Sequence, residues 1–142
     1  MLPRGITGFG DAQAPVIQDV KRFAALAHAA ARELGGAVCY IDADTLGRSF
    51  YSARIEPRRG GLFILMNAYY PYAAFAESVE YGEIAFADAP GGVECPDVRV
   101  LTLDELMQPW DGEGLELGDA EMKQIRYWKP RTVGEVVFNF WD

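Results

Sequence analysis

The stretch SFYSARIEPRRGGLFILMN, residues 49–67, decides the fold of this chain. Apolar and polar residues alternate along Ser49–Glu56, as in a strand that buries one face, and Leu62–Asn67 is a strongly apolar run. Between them lies Pro57-Arg58-Arg59-Gly60-Gly61, whose proline and glycines are typical of a short connection between strands. The stretch therefore predicts a β-hairpin.

Further strand-like segments stand on both sides of this hairpin. Ala37–Ile41 is a short apolar run before it, and Tyr72–Ala76, Glu83–Asp88 and Val98–Leu101 follow it. The short turns between consecutive strands favour antiparallel pairing, because parallel neighbours need long crossover connections. The chain is predicted to form a mainly antiparallel sheet of about four to six strands.

A long helix is predicted before the sheet. Pro15 suits the first turn of a helix, Asp19 favours its N-terminal end, and Gly35-Gly36 provides a stop. Apolar residues recur at steps of three and four and form one stripe. The stripe consists of Ile17, Val20, Ala24, Ala27, Ala31 and Leu34. Because it is rich in alanine, the helix is expected to lie close against one face of the sheet.

Short helices are predicted after the sheet. Asp104–Gln108 fits one helical turn that Pro109 stops. Asp119 suits the N-cap of a further helix that runs to about Trp128, where Lys129-Pro130 ends it.

The C-terminal residues predict one more helix. Thr132 and Glu135 have the spacing of a capping box, so Val133–Trp141 is interpreted as helical. A strand is the alternative, because the segment is rich in β-branched and aromatic residues. The predicted architecture is a single α+β domain over residues 1–142, with the long N-terminal helix on one face of the sheet and short C-terminal helices.

Length and composition agree with one globular domain. The chain has 142 residues, of which 50% are hydrophobic and 24% are charged, unlike a disordered tail. Two cysteines, Cys39 and Cys95, are too few for a disulfide scaffold and are interpreted as reduced thiols. The N-terminus lacks a signal-peptide core, and the longest uncharged stretch, 62–76, is too short to span a membrane. A cytoplasmic protein without a membrane partner is expected.

Charge is segregated along the chain. Between Glu77 and Glu121 lie thirteen acidic residues and one base, Arg99, which gives this acidic segment a net charge near −12. The remainder has eight acids and twelve bases, a balance of +4, so the overall −8 conceals the contrast. Such a field repels nucleic acid and anionic lipid and attracts basic protein surfaces. Most of this negative charge is expected on exposed loops that follow the sheet.

One short motif indicates a candidate chemistry. Val38–Leu46 is an apolar run that ends in two alternate aspartates, Asp42 and Asp44. It resembles the strand with which haloacid-dehalogenase-type phosphatases present a nucleophile and an acid around Mg²⁺, although Thr45 stands one residue earlier than in that family. The resemblance implies a Mg²⁺-dependent phosphoryl-transfer-type hydrolase, with a further carboxylate from the acidic segment. The structural alternative is that both aspartates end a strand and cap the loop before Gly47.

No other motif for catalysis or for a cofactor is complete in the sequence. His28 is the single histidine and is expected to be partly buried beside the alanine-rich stripe. A zinc site has little support without a second histidine, and no HExxH, GxSxG or Walker motif occurs. Apart from the Asp42 and Asp44 alternative, the sequence predicts no catalytic residue, no metal and no cofactor.

Two aromatic groups have more than one interpretation. Lys123, Arg126, Lys129 and Arg131 flank Tyr127-Trp128, which superficially suits phosphates and stacked bases. The acidic remainder argues against nucleic acid as a partner, and these bases are interpreted as neutralising part of the acidic segment.

The second group is Tyr69-Tyr70-Pro71-Tyr72 with Phe75, which fits either the core or a binding surface. A tyrosine-rich edge strand that pairs with another chain is a further alternative, so a monomer or a weak homodimer is predicted.

The composition and architecture of the whole chain resemble a known class of protein. Small acidic α+β domains without catalytic residues are similar to the immunity proteins of bacterial polymorphic toxin systems, and residues 128–142 resemble the C-terminus of small bacterial domains of that sort. The resemblance implies a protein-binding module, not an enzyme, that covers the basic surface of a toxin-like partner with carboxylates. Charge steers the partner, and an aromatic anchor, Trp110, slows its dissociation. The predicted interface is Asp104, Glu105, Trp110, Asp111, Glu113, Glu116 and Asp119.

Overall fold

The chain forms one sheet with helices on both faces, which confirms the predicted α+β class. The computed structural model describes residues 3, 5–9, 18–56, 62–91, 93, 95, 97–110 and 119–141. The helices are α1 (Val20–Glu33), α2 (Leu103–Leu106), α3 (Asp119–Trp128) and α4 (Val133–Val137). The strands are β1 (Ala37–Asp42), β2 (Phe50–Glu56), β3 (Leu62–Asn67), β4 (Tyr72–Glu80), β5 (Glu83–Ala87) and β6 (Arg99–Val100).

The sheet has the order β1-β2-β3-β4-β5, and every neighbouring pair in that order is antiparallel, as predicted. Strand β6 runs parallel to β4 beside Tyr72 and Ala73, while β5 pairs with Phe75–Glu80, so both lie along the same side of β4. Because Tyr72 begins an interior strand, the alternative of a tyrosine-rich edge strand is wrong. The 57–61 connection of the predicted hairpin lies outside the described residues.

Two cores lie on opposite faces of the sheet, because neighbouring residues of a strand point to opposite sides. Helix α1 packs on β1 and β2, and the core beneath it includes Tyr51 and Ile64. The core on the other face contains Phe50 and Leu65 together with side chains from α2, α3 and α4. The central strands are covered on both faces, which explains why Leu62–Asn67 is apolar without alternation.

Helix α1 begins at Val20, later than the start predicted near Pro15, which lies outside the described residues. The Asp19 carboxylate accepts a hydrogen bond from the Lys21 N–H at 2.8 Å, so Asp19 caps the N-terminal end. The predicted stop is confirmed, with Gly35 at a φ of 67° just after the helix.

The buried stripe of α1 differs from the predicted one. Val20 is 41% exposed, whereas Phe23 is fully buried with its ring 5.7 Å from that of Tyr51. The stripe therefore turns toward Phe23, the largest apolar side chain of the helix. Its buried members are Phe23, Leu26, Ala27, Ala30 and Ala31. His28 lies outside this stripe and is exposed, so the expectation of a partly buried histidine is wrong.

The terminal helix α4 is shorter than predicted. Its capping box is present, since the Thr132 hydroxyl accepts from the Glu135 N–H and the Glu135 carboxylate accepts from the Thr132 N–H. The helix ends at Val137, and residues 138–141 form neither the predicted helix nor the alternative strand.

Hydrogen bonds from Ser49, just before β2, and from Asn67, at the end of β3, stop α4 at this point. The Ser49 hydroxyl and the Asn67 amide both donate to the Val137 carbonyl at 2.8 Å, and the Asn139 N–H donates to the Ser49 hydroxyl at 3.0 Å. The N–H of Asn139, which a longer helix would need for its own ladder, is therefore committed to the sheet. The aromatic residues that follow α4 are thereby fixed at the edge of the core.

One carboxylate of the acidic segment is buried, which is an exception to the expectation that most of the segment's negative charge lies on exposed loops. Glu121 is inaccessible to solvent, and it accepts hydrogen bonds from the Gly5 N–H and from the N–H and hydroxyl of Thr7. Moreover, the first three acids of the segment lie on β4 and β5 and not on loops. The segment therefore supplies both structural carboxylates and an exposed surface.

Candidate functional site

The structure describes only some of the residues that are predicted to contact a partner. Asp104 and Asp119 are exposed, at α2 and at the start of α3, and Glu105 is half-buried. The others of this predicted set lie outside the described residues, namely Asp111, Glu113 and Glu116. The structure therefore gives positions for the first part of the predicted interface and for its end.

Trp110 is the predicted anchor, and its side chain packs against the core of the α4 face. Its indole Nε1 is buried, and no hydrogen-bond acceptor meets it among the residues that the structure describes. Only part of the ring is exposed. An anchor that inserts into a partner needs more accessible surface than this position offers, so its anchoring role stays a prediction.

Glu105 has a structural role besides its predicted one. Its carboxylate accepts from the Thr102 N–H at 3.1 Å, and the Thr102 hydroxyl accepts from the Glu105 N–H, which completes a capping box at α2. Arg99 donates to the same carboxylate at 2.5 Å. The hydrogen bond from the Thr102 backbone N–H, together with the Arg99 guanidinium, holds the pKa of Glu105 below its ordinary value. Glu105 is therefore ionised and held in position.

Five acids of the acidic segment stand near the two ends of β5, the outer strand of the sheet. Glu80 and Glu83 face each other across the β4–β5 hairpin, and Asp88 follows the last residue of β5. The Asp88 carboxylate accepts from the Leu103 N–H at 2.8 Å, which places the start of α2 at this end of the strand. Carboxylates therefore stand at both ends of the outer strand β5, two at the hairpin tip and the others where α2 begins. We call this set the acidic edge: Glu80, Glu83, Asp88, Asp104 and Glu105.

Sequence reasoning missed three of the five residues of this edge because it gave weight to loops. Glu80, Glu83 and Asp88 belong to the acidic segment, but they stand on or beside predicted strands and were not assigned to the interface. A usable signal was present, since Tyr81-Gly82 between two glutamates is a tight-turn pattern that places their side chains opposite each other.

Asp42 and Asp44 behave as the structural alternative predicts. Asp42 accepts from the Asp44 N–H at 3.1 Å, and Asp44 accepts from the Leu46 N–H at 2.9 Å, so both cap the loop after β1. Arg48 forms a 2.6 Å ion pair with Asp42 and lies over the Phe50 ring. Within the described ranges, no group of three or more His, Cys, Asp or Glu side chains is placed to hold a metal ion.

A second surface feature is a cleft of about 870 Å³ between the β4–β5 hairpin and the C-terminal segment. Tyr81 at the hairpin tip is 79% exposed, and its ring centroid lies 5.4 Å from that of Phe140. Trp128 closes the α3 side, and Lys129 and Arg131 stand beside it. We call this the aromatic cleft, and its principal walls are Tyr81, Phe86, Trp128, Phe138, Phe140 and Trp141.

Among the described residues, no ion pair joins the bases near the C-terminus to the acidic segment, so their expected neutralising role stays a prediction. The ion pairs of the described chain are Arg48–Asp42, Arg54–Glu56 and Arg99–Glu105. None of them uses Lys123, Arg126, Lys129 or Arg131, which are all exposed. The molecule therefore carries a carboxylate-lined edge and, separately, a basic and aromatic surface around the C-terminal end of α3.

Comparisons of the chain with protein-family models, curated proteins and solved structures found no match. None of the helices in the described ranges is long and apolar enough to cross a membrane.

Both cysteines are free thiols, as predicted, with Cys39 exposed and Cys95 half-buried, and burial raises the pKa of the Cys95 thiol. The chemistry of the described residues therefore carries the functional assignment.

Proposed function

We propose that this chain is a cytoplasmic protein-binding module whose acidic edge covers a basic surface of its partner, in the manner of an immunity-type inhibitor of a toxin. The observation that supports the proposal is the placement of five carboxylates at the two ends of the outer strand β5 and on the adjoining helix α2. The nearest base in sequence, Arg99, is already paired with Glu105. A field of one sign on a fixed scaffold attracts a basic partner from a distance and orients it.

The hairpin tip adds a second argument. Glu80 and Glu83 are direct cross-strand partners. Like charges in that position destabilise a sheet by about 0.2–1 kcal/mol. Neither carboxylate has a hydrogen bond or an ion pair among the described residues to offset this cost. A lysine or arginine of a partner placed between them would relieve the repulsion. The tip is therefore suited to a cationic contact.

The Mg²⁺-dependent hydrolase stays a prediction that no structural observation favours. The Asp42 carboxylate is occupied by Arg48 and by the Asp44 N–H, so a metal would have to displace an ion pair. Substitution of both aspartates by asparagine should leave partner affinity nearly unchanged if the acidic edge is the binding surface.

A pair of charge reversals tests the acidic edge. Glu83→Lys with Asp104→Lys changes the edge without removing a cap, because neither carboxylate makes a hydrogen bond within the described chain. Glu33→Lys with Glu56→Lys is the matched control, since it changes net charge equally but lies at the ends of α1 and β2. The Arg54–Glu56 ion pair that it removes is 3.7 Å long and exposed, so its loss should have little effect. Basic proteins encoded beside this gene are the candidate partners, and association is measured by surface plasmon resonance at low and high salt.

The edge pair is expected to slow association at least about tenfold at low salt, and the difference should shrink as salt screens the charges. The control pair should change the rate less than about twofold. An oligolysine peptide, which reports nonspecific attraction, should respond to both pairs alike. Equal effects of the two pairs on the candidate partner, or a rate insensitive to salt, would refute the acidic edge as the binding surface.

A further inference from the structure

The aromatic cleft is distinct from the acidic edge in composition, although Glu83 borders both. Its volume of about 870 Å³ is sufficient for a small organic molecule, since ligand sites commonly measure about 300–1,000 Å³. Its walls combine aromatic side chains with two cations, which is the usual make-up of a site that orients a ligand by a few polar contacts. We propose that this cleft binds a small ligand that carries a flat ring and one anionic group.

The ring would lie against the pair formed by Tyr81 and Phe140. Tyr81 is exposed at a tight turn whose Gly82 has a φ of 78°, so the tyrosine is held on a two-residue loop and not on a long one. Phe140 is anchored from behind, since its ring meets that of Phe50 at 5.3 Å. An exposed aromatic ring on a rigid support offers a stacking platform to a flat ligand at little cost in entropy.

The anionic group would be held by Lys129 and Arg131. Neither side chain forms an ion pair within the described ranges, although both line the cleft. The neighbouring carboxylate of Glu135 is engaged by the N–H groups of Arg131 and Thr132. Glu83 is the other carboxylate of the lining, so the cations are not outnumbered. A guanidinium and an ammonium together suit a carboxylate or a phosphate.

The backbone at Lys129 supports this role. Lys129 has a φ of 51°, a left-handed conformation that glycine usually supplies at the end of a helix, and Pro130 follows it. Its N–H donates to the Ile125 carbonyl at 2.8 Å, so the residue ends α3 in this strained form. A lysine in this conformation lowers the stability of the fold. Such strain is often found at residues whose side chains bind a ligand.

The acidic edge limits the size of the ligand. Glu80 and Glu83 flank Tyr81 at the hairpin tip, so an extended polyanion that left the cleft on this side would meet repulsive carboxylates. A ligand with a single anionic group needs only the cations and the aromatic walls of the cleft, so it does not have to cross the tip. The cleft therefore favours a small molecule over a nucleic acid strand.

Fluorine NMR on the full chain provides a direct test. The chain has three tryptophans, of which Trp128 and Trp141 line the cleft and Trp110 does not. Protein labelled with 5-fluorotryptophan is titrated with adenosine monophosphate, with indole-3-acetate, with uncharged adenosine and with inorganic phosphate. The first two probes each carry one anionic group on a flat ring, a phosphate in one and a carboxylate in the other. Adenosine and inorganic phosphate separate the contributions of the ring and the anion of adenosine monophosphate. Single Trp→Phe variants assign the signals.

At least one anionic ring probe is expected to shift the Trp128 signal saturably and to leave Trp110 unchanged, with adenosine and phosphate weaker by about fivefold or more. Arg131→Gln should weaken the anionic probe at least about fivefold and adenosine little, whereas Arg126→Gln, on α3 and outside the cleft, should change neither. Tyr81→Ala should weaken every ring probe, in contrast to Tyr127→Ala. No saturable shift with either anionic probe at millimolar concentration, or equal effects of Arg131→Gln and Arg126→Gln, would overturn the proposal.

Discussion

At the scale of single residues, Lys129 shows how local strain and a site can coincide. The left-handed region costs a residue with a Cβ about 1 kcal/mol more than glycine. Lys129→Gly is therefore expected to raise the free energy of unfolding by about 0.5–1 kcal/mol in urea titrations, because glycine adopts a φ of 51° without strain. Lys129→Gln keeps the strain and removes the charge, so its stability should match the parent chain.

Both variants lose the ammonium group and should weaken an anionic ring ligand to a similar degree. This pair of measurements separates the backbone from the side chain. A glycine variant no more stable than the glutamine variant would show that the left-handed backbone carries no cost at this position.

At the scale of elements, the contact of α4 with β5 depends on one glycine. A Cβ built on Gly134 would lie 2.7 Å from Cε2 of Phe86 and 3.1 Å from the Leu106 carbonyl oxygen. Gly134→Ala is therefore expected to destabilise the protein by about 1–3 kcal/mol through overpacking, although alanine has the better helix propensity by about 1 kcal/mol. Thermal and urea unfolding measure the loss.

Two further variants test the cause of that loss. Gly91→Ala should be neutral within about 0.5 kcal/mol, because, apart from its chain neighbours, none of the described residues has an atom within 4 Å of the added Cβ. Phe86→Leu removes the ring atoms that lie too close to the Cβ introduced by Gly134→Ala. When the two substitutions are combined, part of the lost free energy of unfolding should be recovered. A double variant with purely additive losses would show that the strain lies elsewhere.

At the scale of the whole molecule, buried hydrogen bonds join distant parts of the chain. The Asn139 amide donates to the Thr7 and Val136 carbonyls at 3.0 Å, and its oxygen accepts from the Trp141 N–H at 3.2 Å. Asn139→Ala leaves these groups buried without a partner and is expected to cost about 2–4 kcal/mol. The C-terminal aromatics that line the aromatic cleft should also loosen, which limited proteolysis would detect.

Gln124→Ala is the control for this effect. It removes an exposed hydrogen bond from the Trp128 indole, and it should cost less than about 1 kcal/mol and leave the proteolysis pattern unchanged. Similar losses for the two substitutions would mean that Asn139 does not hold the C-terminal segment in place.

Local patterns predicted most of the elements. The alternation in 49–56 and the apolar run of 62–67 correspond to β2 and β3, and the capping box at Thr132 begins α4. These elements could be predicted because turn residues, helix caps and hydrophobic periodicity depend on residues that are close in sequence. The end of α4 could not be predicted, because Ser49 and Asn67, far away in sequence, compete for its last backbone groups.

The candidate sites, too, depend partly on local sequence and partly on contacts between distant residues. The sequence by itself determined that the chain is acidic in one segment and basic and aromatic in another, since charge and ring count are properties of composition. Only the tertiary structure decided which acids share a border, that Glu121 is buried, and that Tyr81 and Phe140 meet across a cleft. The physical reason is that a surface is a set of residues brought together by long-range packing, and packing depends on the whole chain at once.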